Sequence, residues 1–420
     1  MSSVAIPSVP VIALVLALAG AGAGGAVLSG AVPLNAFSAP AAAPAPEGWE
    51  VLETYTGDVD LEAVTEGTLD LRTFEGAVSV IGWDEPSYEI TVLVLPDQDK
   101  QRITDGAITS TFNEGSEGGL GLQLLVERAG NYDISTSGDG GPRVAVVANV
   151  PASISWTTAF VCSGATGGLG QDLAGPLEQL FGGQQGDQDQ ACTQGGAGID
   201  MNIGLGRDEP QQAEEIPFVL EGLHGGELMA MAQYASLGVK DLSFEKLGLL
   251  TQYGEIRVDA VATDLAAMTQ YGSVGLSATT DNLRVFTQYG DIRAHVVDGA
   301  SGAIQLESQY GSVTLGVPAG NDRGYDAQAS TQYGEIIIEL TDAEGSGEDG
   351  NAALGERADL LGSLLVPPKR PSGYGDARTE SAQTAGFDAK DVQVTIAAMT
   401  QYGDILITDG ELPVPDDDQA

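Results

Sequence analysis

Lysine, histidine, cysteine and aromatic residues are all scarce in this 420-residue chain, and each shortage removes a class of function. Lysine occurs five times, as Lys100, Lys240, Lys246, Lys369 and Lys390, and all basic residues number 17 against 60 acidic ones. The formal charge of −43 repels nucleic acid and anionic membrane surfaces. His224 and His295 stand alone in sequence, so no metal site is expected. Nucleophile elbow, zinc motif and P-loop are absent, and no catalytic residue or cofactor is expected. Aromatics make up 6% of the chain while glycine reaches 58 residues, about twice its usual share of roughly 7%, which suits strands and turns better than helices.

Two readings of the acidity compete. One is an acidic surface for a ligand or cation; the other is adaptation to high salt, where self-repulsion is screened within a few ångströms. The carboxylates are spread along the whole sequence and lysine is rare throughout, which favours the halophile reading.

Residues Met1 to Pro46 carry no charged side chain, and Val9 to Leu34 form a Gly/Ala-rich apolar run long enough to cross a bilayer as a helix. This run lacks the basic start of a secretory signal and has no lipobox cysteine, and it suits a cleaved leader as well as a retained anchor. Either way the acidic remainder is expected outside the cell, anchored to the membrane or secreted. Gly20 to Gly25 formally fits GxGxxG, but no strand precedes it, so it is not read as a nucleotide site.

From Glu50 onward apolar residues alternate with period two, as in Leu69 and Leu71 or Val78 and Val80. Thr54-Tyr55-Thr56-Gly57 and Thr73-Phe74-Glu75-Gly76 read as early, divergent copies of the repeat described next. Cys162 and Cys192 bracket a Gly/Gln-rich loop, and in an external compartment a disulfide closing it is the expected state. Within that loop GGLGQD, from Gly167 to Asp172, matches a calcium nonapeptide, but one copy cannot build the tandem calcium roll.

The dominant pattern is a phrase built on Gln-Tyr-Gly. It begins at Thr251, Thr269, Thr287, Ser308, Thr331 and Thr400, with a degenerate copy, AQYASLGV, at Ala232. Its tyrosines are Tyr253, Tyr271, Tyr289, Tyr310, Tyr333 and Tyr402; its glycines are Gly254, Gly272, Gly290, Gly311, Gly334 and Gly403. The first five glycines lie 18, 18, 21 and 23 residues apart, the period of a stacked solenoid. Two apolar columns precede each Thr/Ser, such as Leu247 and Leu249, and two follow, such as Ile256 and Val258. The odd step between the pairs would put them on opposite faces of one strand, so the chain must bend at Gln-Tyr-Gly, with glycine supplying the φ/ψ of the corner. In stacked rungs the glutamines can pass amide hydrogen bonds and the tyrosines can stack, a structural ladder that needs no ligand; an exposed aromatic file could instead bind a glycan. The residue after each glycine alternates, in chain order, as Ser236, Glu255, Ser273, Asp291 and Ser312, then Glu335 and Asp404, which spaces like charges two rungs apart over most of the series. Arg257 and Arg293 lie placed to pair with Glu255 and Asp291.

The repeated x-L-x-L-x-T-x-x-G-x-I-x-V phrase, together with LRTFEGAVSVIGW at Leu71 to Trp83 and VAVVANVPASISWTT at Val144 to Thr158, resembles the putative-adhesin (toastrack) family of β-helical cell-envelope proteins. The resemblance implies an extracytoplasmic β-solenoid, often beside a transmembrane segment, with no catalytic residues to carry over. The near-invariant Gln-Tyr pair and two insertions depart from the family pattern. The expected fold is therefore all-β, a single-chain parallel β-helix-like solenoid of 18–23-residue rungs behind an N-terminal apolar helix. Its expected parts are 1–46 (membrane segment and spacer), 47–215 (divergent solenoid with the cysteine loop), 216–341 (Gln-Tyr-Gly solenoid), 342–390 (insertion), 391–410 (final rung) and 411–420 (acidic tail). The expected function is a non-enzymatic adhesin-like, scaffolding or sensory surface module, with cell-envelope protein or glycan as partner. The alternative is a polysaccharide-binding or polysaccharide-cleaving β-helix protein.

Overall fold

The structure is a computed structural model, described here for residues 49–73, 76–94, 108–115, 119–128, 144–163, 218–341 apart from Tyr234, Ala300 and Asn321, 343–346, 378–409 and Leu412. The apolar N-terminal run, Cys192 with the GGLGQD string, most of the 342–390 insertion and nearly all of the acidic tail lie outside these residues. Among the described residues helical structure is limited to a 3-10 turn, Phe387–Ala389, and no helix is long and apolar enough to cross a membrane.

The first eight strands are β1 (Glu50–Asp58), β2 (Glu66–Thr73), β3 (Ala77–Trp83), β4 (Ser87–Val94), β5 (Ile108–Gly115), β6 (Leu120–Arg128), β7 (Val144–Pro151) and β8 (Ser155–Ser163). The next seven are β9 (Phe218–Glu221), β10 (His224–Ala232), β11 (Leu237–Thr251), β12 (Ile256–Thr269), β13 (Val274–Thr287), β14 (Ile292–Gly299) and β15 (Ala303–Ser308). The last seven are β16 (Val313–Gly316), β17 (Arg323–Thr331), β18 (Ile336–Glu339), β19 (Ala343–Ser346), β20 (Arg378–Thr384), β21 (Val392–Thr400) and β22 (Ile405–Thr408).

These strands form two layers joined at the corners. In the inbound layer β6, β2, β8, β10, the second halves of β11 to β13, β15, β21 and β17 follow one another in parallel register. In the outbound layer β7, β3, β9, the first halves of β11 to β13, β14, β16, β22 and β18 do the same. Each corner carries the chain from the first layer to the second. At the opposite edge β11 turns back through Asp241, a non-glycine residue with φ of 52°, and its register slips between Val239 and Leu242. Antiparallel strands close both ends: β5 on β6 and β4 on β7 at one, β20 on β17 at the other. Such caps withdraw the open backbone edges that an unfinished stack would offer to other chains.

The bend does what the parity of the apolar columns requires. Leu247 and Leu249 from one side of a corner and Ile256 and Val258 from the other all enter a single core between the layers, and each later rung repeats the arrangement. Trp156 and Tyr325 are among the largest side chains wholly buried there. An all-β solenoid is thus observed.

Spatial order differs from chain order in two places. The final rung, β21 with β22, slots between the Ser308 rung and the Thr331 rung, and β2 with β3 slots between β6/β7 and β8/β9. Equivalent rungs present the same hydrogen-bond register and the same apolar columns, so periodicity specifies a stack without specifying its sequence. Thr54 to Gly57 form no corner either. They lie inside the antiparallel strand β1, where Tyr55 stacks on Phe112 at 4.6 Å and Gly57 makes room for the Tyr88 ring. Thr73 to Gly76 do join β2 to β3, and Gly76 has φ of 108°.

The outer face of the inbound layer carries a second set of apolar side chains. One register file runs Arg72, Cys162, Met231, Leu250, Met268, Phe286, Glu307, Met399 and Ser330. The adjacent file includes Phe160, Met229, Gly248 and Ala266. Phe160, Cys162, Met229, Met231, Leu250, Ala266 and Met268 are buried and form a cluster separate from the main core. Glu307, flanked in register by Phe286 and Met399, has its carboxyl pushed above the usual carboxylate range by burial. The folded chain therefore holds this proton to higher pH than the unfolded chain, and stability is lost as pH rises from about 4.3 through the folded-state pKa. Glu307→Gln is expected to stabilise the protein at pH 7 and to match the parent below about pH 4. Denaturant midpoints at the two pH values, in constant high salt, test this; a difference that persists on acidification would remove burial of the charge as its cause.

Candidate functional site

The candidate site is the line of corners, because it holds every residue of the repeated phrase. In stacking order the tyrosines are Tyr253, Tyr271, Tyr289, Tyr310, Tyr402 and Tyr333, with ring centroids 4.9, 5.1, 4.8, 5.1 and 4.9 Å apart. Interplanar angles are between 2° and 13°, so neighbouring rings lie almost parallel, and each ring remains 40–47% exposed. What solvent meets is a row of ring edges and phenol hydroxyls, because the faces of the interior rings are occupied by one another. A sugar stacks on an aromatic face, and inside this file none is free.

Beneath the rings the polar groups satisfy each other from rung to rung. Each tyrosine N–H donates to the glutamine carbonyl of the neighbouring rung, at 2.9 Å for Tyr253 to Gln233 and 3.1 Å for Tyr402 to Gln309. Glutamine amides run alongside: Gln233 donates to Gln252 at 3.3 Å, Gln252 to Gln270 and Gln270 to Gln288 at 3.1 Å, and Gln401 to Gln332 at 3.0 Å. The buried Thr/Ser hydroxyl that opens each copy donates to the corner carbonyl of the rung before it. Thr269 reaches Gly254 at 2.9 Å, Thr287 reaches Gly272 at 2.8 Å, Ser308 reaches Gly290 at 2.8 Å, Thr400 reaches Gly311 at 2.8 Å and Thr331 reaches Gly403 at 3.0 Å. A buried carbonyl without such a donor would cost about 1–3 kcal/mol, which explains why this column is Thr or Ser and never Val.

Glycine is needed for a different reason from the one its corner position implies. None of the six corner glycines has a positive φ; those among the described glycines are Gly76, Gly222, Gly225 and Gly386. Instead, a Cβ on Gly272 would fall 1.9 Å from the Gly254 carbonyl oxygen, one on Gly290 2.1 Å from that of Gly272, and one on Gly334 1.9 Å from that of Gly403. The rungs approach too closely for a side chain, so the constraint is steric contact between stacked backbones and not a special dihedral angle. Ala235 occupies the glycine position of the first copy, and its carbonyl oxygen lies 2.2 Å from where a Cβ on Gly254 would fall.

The residue after the glycine is an acceptor. Ser236 Oγ accepts from the Glu255 N–H at 3.2 Å, Ser273 Oγ from Asp291 at 3.2 Å, Asp291 Oδ1 from Ser312 at 2.7 Å and Asp404 Oδ1 from Glu335 at 2.8 Å. Serine and aspartate thus perform the same task. Because the final rung lies before the Thr331 rung, Asp404 and Glu335 are neighbours, and the regular spacing of charge ends there. Arg257 pairs with Glu255 at 2.8 Å.

This geometry is that of a repeat family. Residues 199–355 match the family model described as Toastrack DUF4097. That segment is similar to a Toastrack domain. It contains β9 to β19, and therefore five of the six tyrosine corners; the sixth, at Tyr402, joins the same stack from beyond the matched range. A solved structure described as "a putative cell adhesion protein" from Clostridium sporogenes is 8% identical, with 86% of this chain and 99% of that one covered at a TM-score of 0.23, a likeness too slight to carry an argument. No curated protein matches the chain.

Away from the Toastrack corners, one shallow depression of about 420 Å³ brings Asp70 and Glu114 together with Arg72. Both Asp70 oxygens are held by Arg72, at 2.6 and 2.8 Å, and Glu114 accepts the Tyr88 hydroxyl at 2.7 Å. Among the described residues no cluster of His, Cys, Asp and Glu has the makings of a metal site. Cys162, at the end of β8, is buried and is not a free thiol.

Proposed function

We propose that this protein is a non-enzymatic, extracytoplasmic, adhesin-like scaffold, carried at the surface of a halophile by its N-terminal apolar segment and stabilised by a Cys162–Cys192 disulfide. The observation that carries the reading is the self-satisfied corner ladder: its hydroxyls, amides and aromatic faces are spent on neighbouring rungs. In this reading the six tyrosines and six glycines are structural, and contact with an envelope protein or glycan falls to the segments that interrupt the stack. The Toastrack match and the resemblance to adhesin-type envelope proteins support a surface role. The formal charge of −43 supports a high-salt habitat. A disulfide fits an oxidising exterior.

The competing polysaccharide-cleaving reading needs paired carboxylates in a depression, as Asp70 and Glu114 are placed beside Arg72. Protein lacking residues 1–46 is expected to sediment with native cell envelopes in molar salt and to release no sugar from them. Release of sugar ends that disappears with Asp70→Asn would overturn the non-enzymatic reading, and failure to sediment would overturn the adhesive one.

A further inference from the structure

The cap at the β17 end covers one layer only. β20 pairs with β17 in the inbound layer, whereas β18, which ends the outbound layer, pairs with β22 and with no other described strand. The outbound rungs are tied by one repeated bond, in which the first apolar residue after each corner donates its N–H to the next rung. Leu237 donates to Glu255 at 2.8 Å, Ile256 to Ser273 at 3.0 Å, and Val274 to Asp291, Ile292 to Ser312, Val313 to Asp404 and Ile405 to Glu335 at 2.9 Å. Ile336 is next in this series, and no described rung follows it. Because the Glu335 and Glu339 carbonyls accept from Ile405 and Asp409, at 2.9 and 3.2 Å, strand alternation turns the backbone groups of Ile336 and Ile338 to the open side.

The core comes to the surface at the same place. The second apolar residue after the corner is buried in earlier rungs, as Val258, Leu276, Ala294, Leu315 and Ile407, but Ile338 is only half-buried. On the outer side Glu335 and Glu339, both exposed, flank Ile337, which is 40% exposed. Tyr333, beside this edge, ends the ring file and is stacked only on Tyr402 among the described residues. The edge thus presents backbone groups with no described partner, an unfinished apolar column and two carboxylates, and its strand carries no lysine, proline or bulge to blunt it.

Charge decides what can fill this edge. Pairing does not need chain continuity, since β22 reaches β16 and β18 from outside their run of sequence. A second copy pairing its own β18 about a two-fold axis through Ile337 would set Glu335 against Glu339 and bring together two chains of −43. Head-to-tail stacking is no better served, because β4 on β7 and β5 on β6 cap both layers at the first end. A strand with basic residues at alternate positions instead meets Glu335 and Glu339 with opposite charge, and its intervening apolar residues extend the column that stops at Ile336 and Ile338. We infer that the open edge of β18 is a docking site for an extended segment of another protein, in which lysine or arginine alternates with apolar residues, added as one more strand of the outbound layer. The site does not depend on the adhesin-like reading, because the stack alone creates it.

The test measures binding of two short fluorescent peptides, one alternating lysine with valine and one glutamate with valine, to the full-length protein at the lowest salt that preserves its far-UV spectrum. The lysine peptide is expected to bind at least about tenfold more tightly, because it opposes both carboxylates with positive charge. Ile338→Pro removes an N–H on the open side and spares the bonds to β22, so it should weaken binding of the lysine peptide at least about tenfold with the melting midpoint little changed. Glu335→Lys with Glu339→Lys, which also serves if the proline variant melts early, should reverse the preference between the peptides, although it alters only two of the 60 acidic residues. Equal binding of the two peptides overturns the inference, as does lysine-peptide binding that persists unaltered in folded Ile338→Pro or in the double variant, the mark of a diffusely acidic surface. A dimer of the parent that Ile338→Pro dissociates overturns it in favour of a second copy.

Discussion

Gly272→Ala is expected to destabilise the protein by about 3–5 kcal/mol, among the largest effects a single methyl group can have. The added Cβ would stand 1.9 Å from the Gly254 carbonyl oxygen, and that oxygen already accepts the Thr269 hydroxyl at 2.9 Å. Relieving the clash means separating two rungs, which costs the hydroxyl bond, the Tyr271 N–H bond to Gln252 and the adjoining parallel ladder. Ala235→Gly, the reverse change at the corner where alanine is native, should cost about 1 kcal/mol or less, because that corner already accommodates a Cβ. Guanidinium unfolding of both variants in parallel makes the comparison at high ionic strength. Steric contact also predicts that Gly272→Asn is at least as harmful as Gly272→Ala. If asparagine, which tolerates left-handed dihedrals, proved clearly the milder substitution, backbone conformation would be the reason for the glycine after all.

The glycine column shows how far sequence reasoning reaches. Position and periodicity marked the corner, and the parity of Leu249 and Ile256 required a bend there; both follow from the alternation of a strand. The cause of the glycine was not legible, since a close approach between two rungs depends on their separation and leaves no trace in either rung alone. Stacking order was hidden for a related reason: Thr400 is as good a neighbour for Ser308 as Thr331 would be, so only the route of the chain through β20 decides. The role of Thr269 and Thr287 was visible as a constant column but not as a bond to the preceding rung. One further signal is carried by the sequence itself. The residue before each Thr/Ser reads Leu250, Met268 and Phe286 in the early copies and Glu307, Ser330 and Met399 later, and this marks where the outer face is continuously apolar. The ladder of side chains that make up the candidate site was thus readable residue by residue, whereas the blocked ring faces that decide its chemistry needed coordinates.

Tyr271→Ala combined with Tyr289→Ala is expected to lower stability by about 2–4 kcal/mol while leaving envelope binding of the folded protein intact. The two rings take part in three stacked pairs, at 4.9, 5.1 and 4.8 Å, and each such pair is worth about 0.5–1.5 kcal/mol beyond its buried area. Their backbone bonds to Gln252 and Gln270 do not depend on the side chains, so the rungs should remain paired and the protein folded below its lowered midpoint. Tyr271→Phe with Tyr289→Phe keeps the rings and removes only hydroxyls at exposed positions, and should stay within about 0.5 kcal/mol of the parent. Unfolding midpoints and envelope sedimentation, measured on the same samples, separate structure from recognition. A glycan laid along the file could touch only ring edges and hydroxyls, so a ligand-binding role predicts that even the Phe pair weakens sedimentation with little change in midpoint. That result would make the tyrosine file the contact surface. The opposite result, a lowered midpoint in the Ala pair with sedimentation unchanged in both, leaves the tyrosines as the mortar between rungs and directs the search for a partner to the insertions.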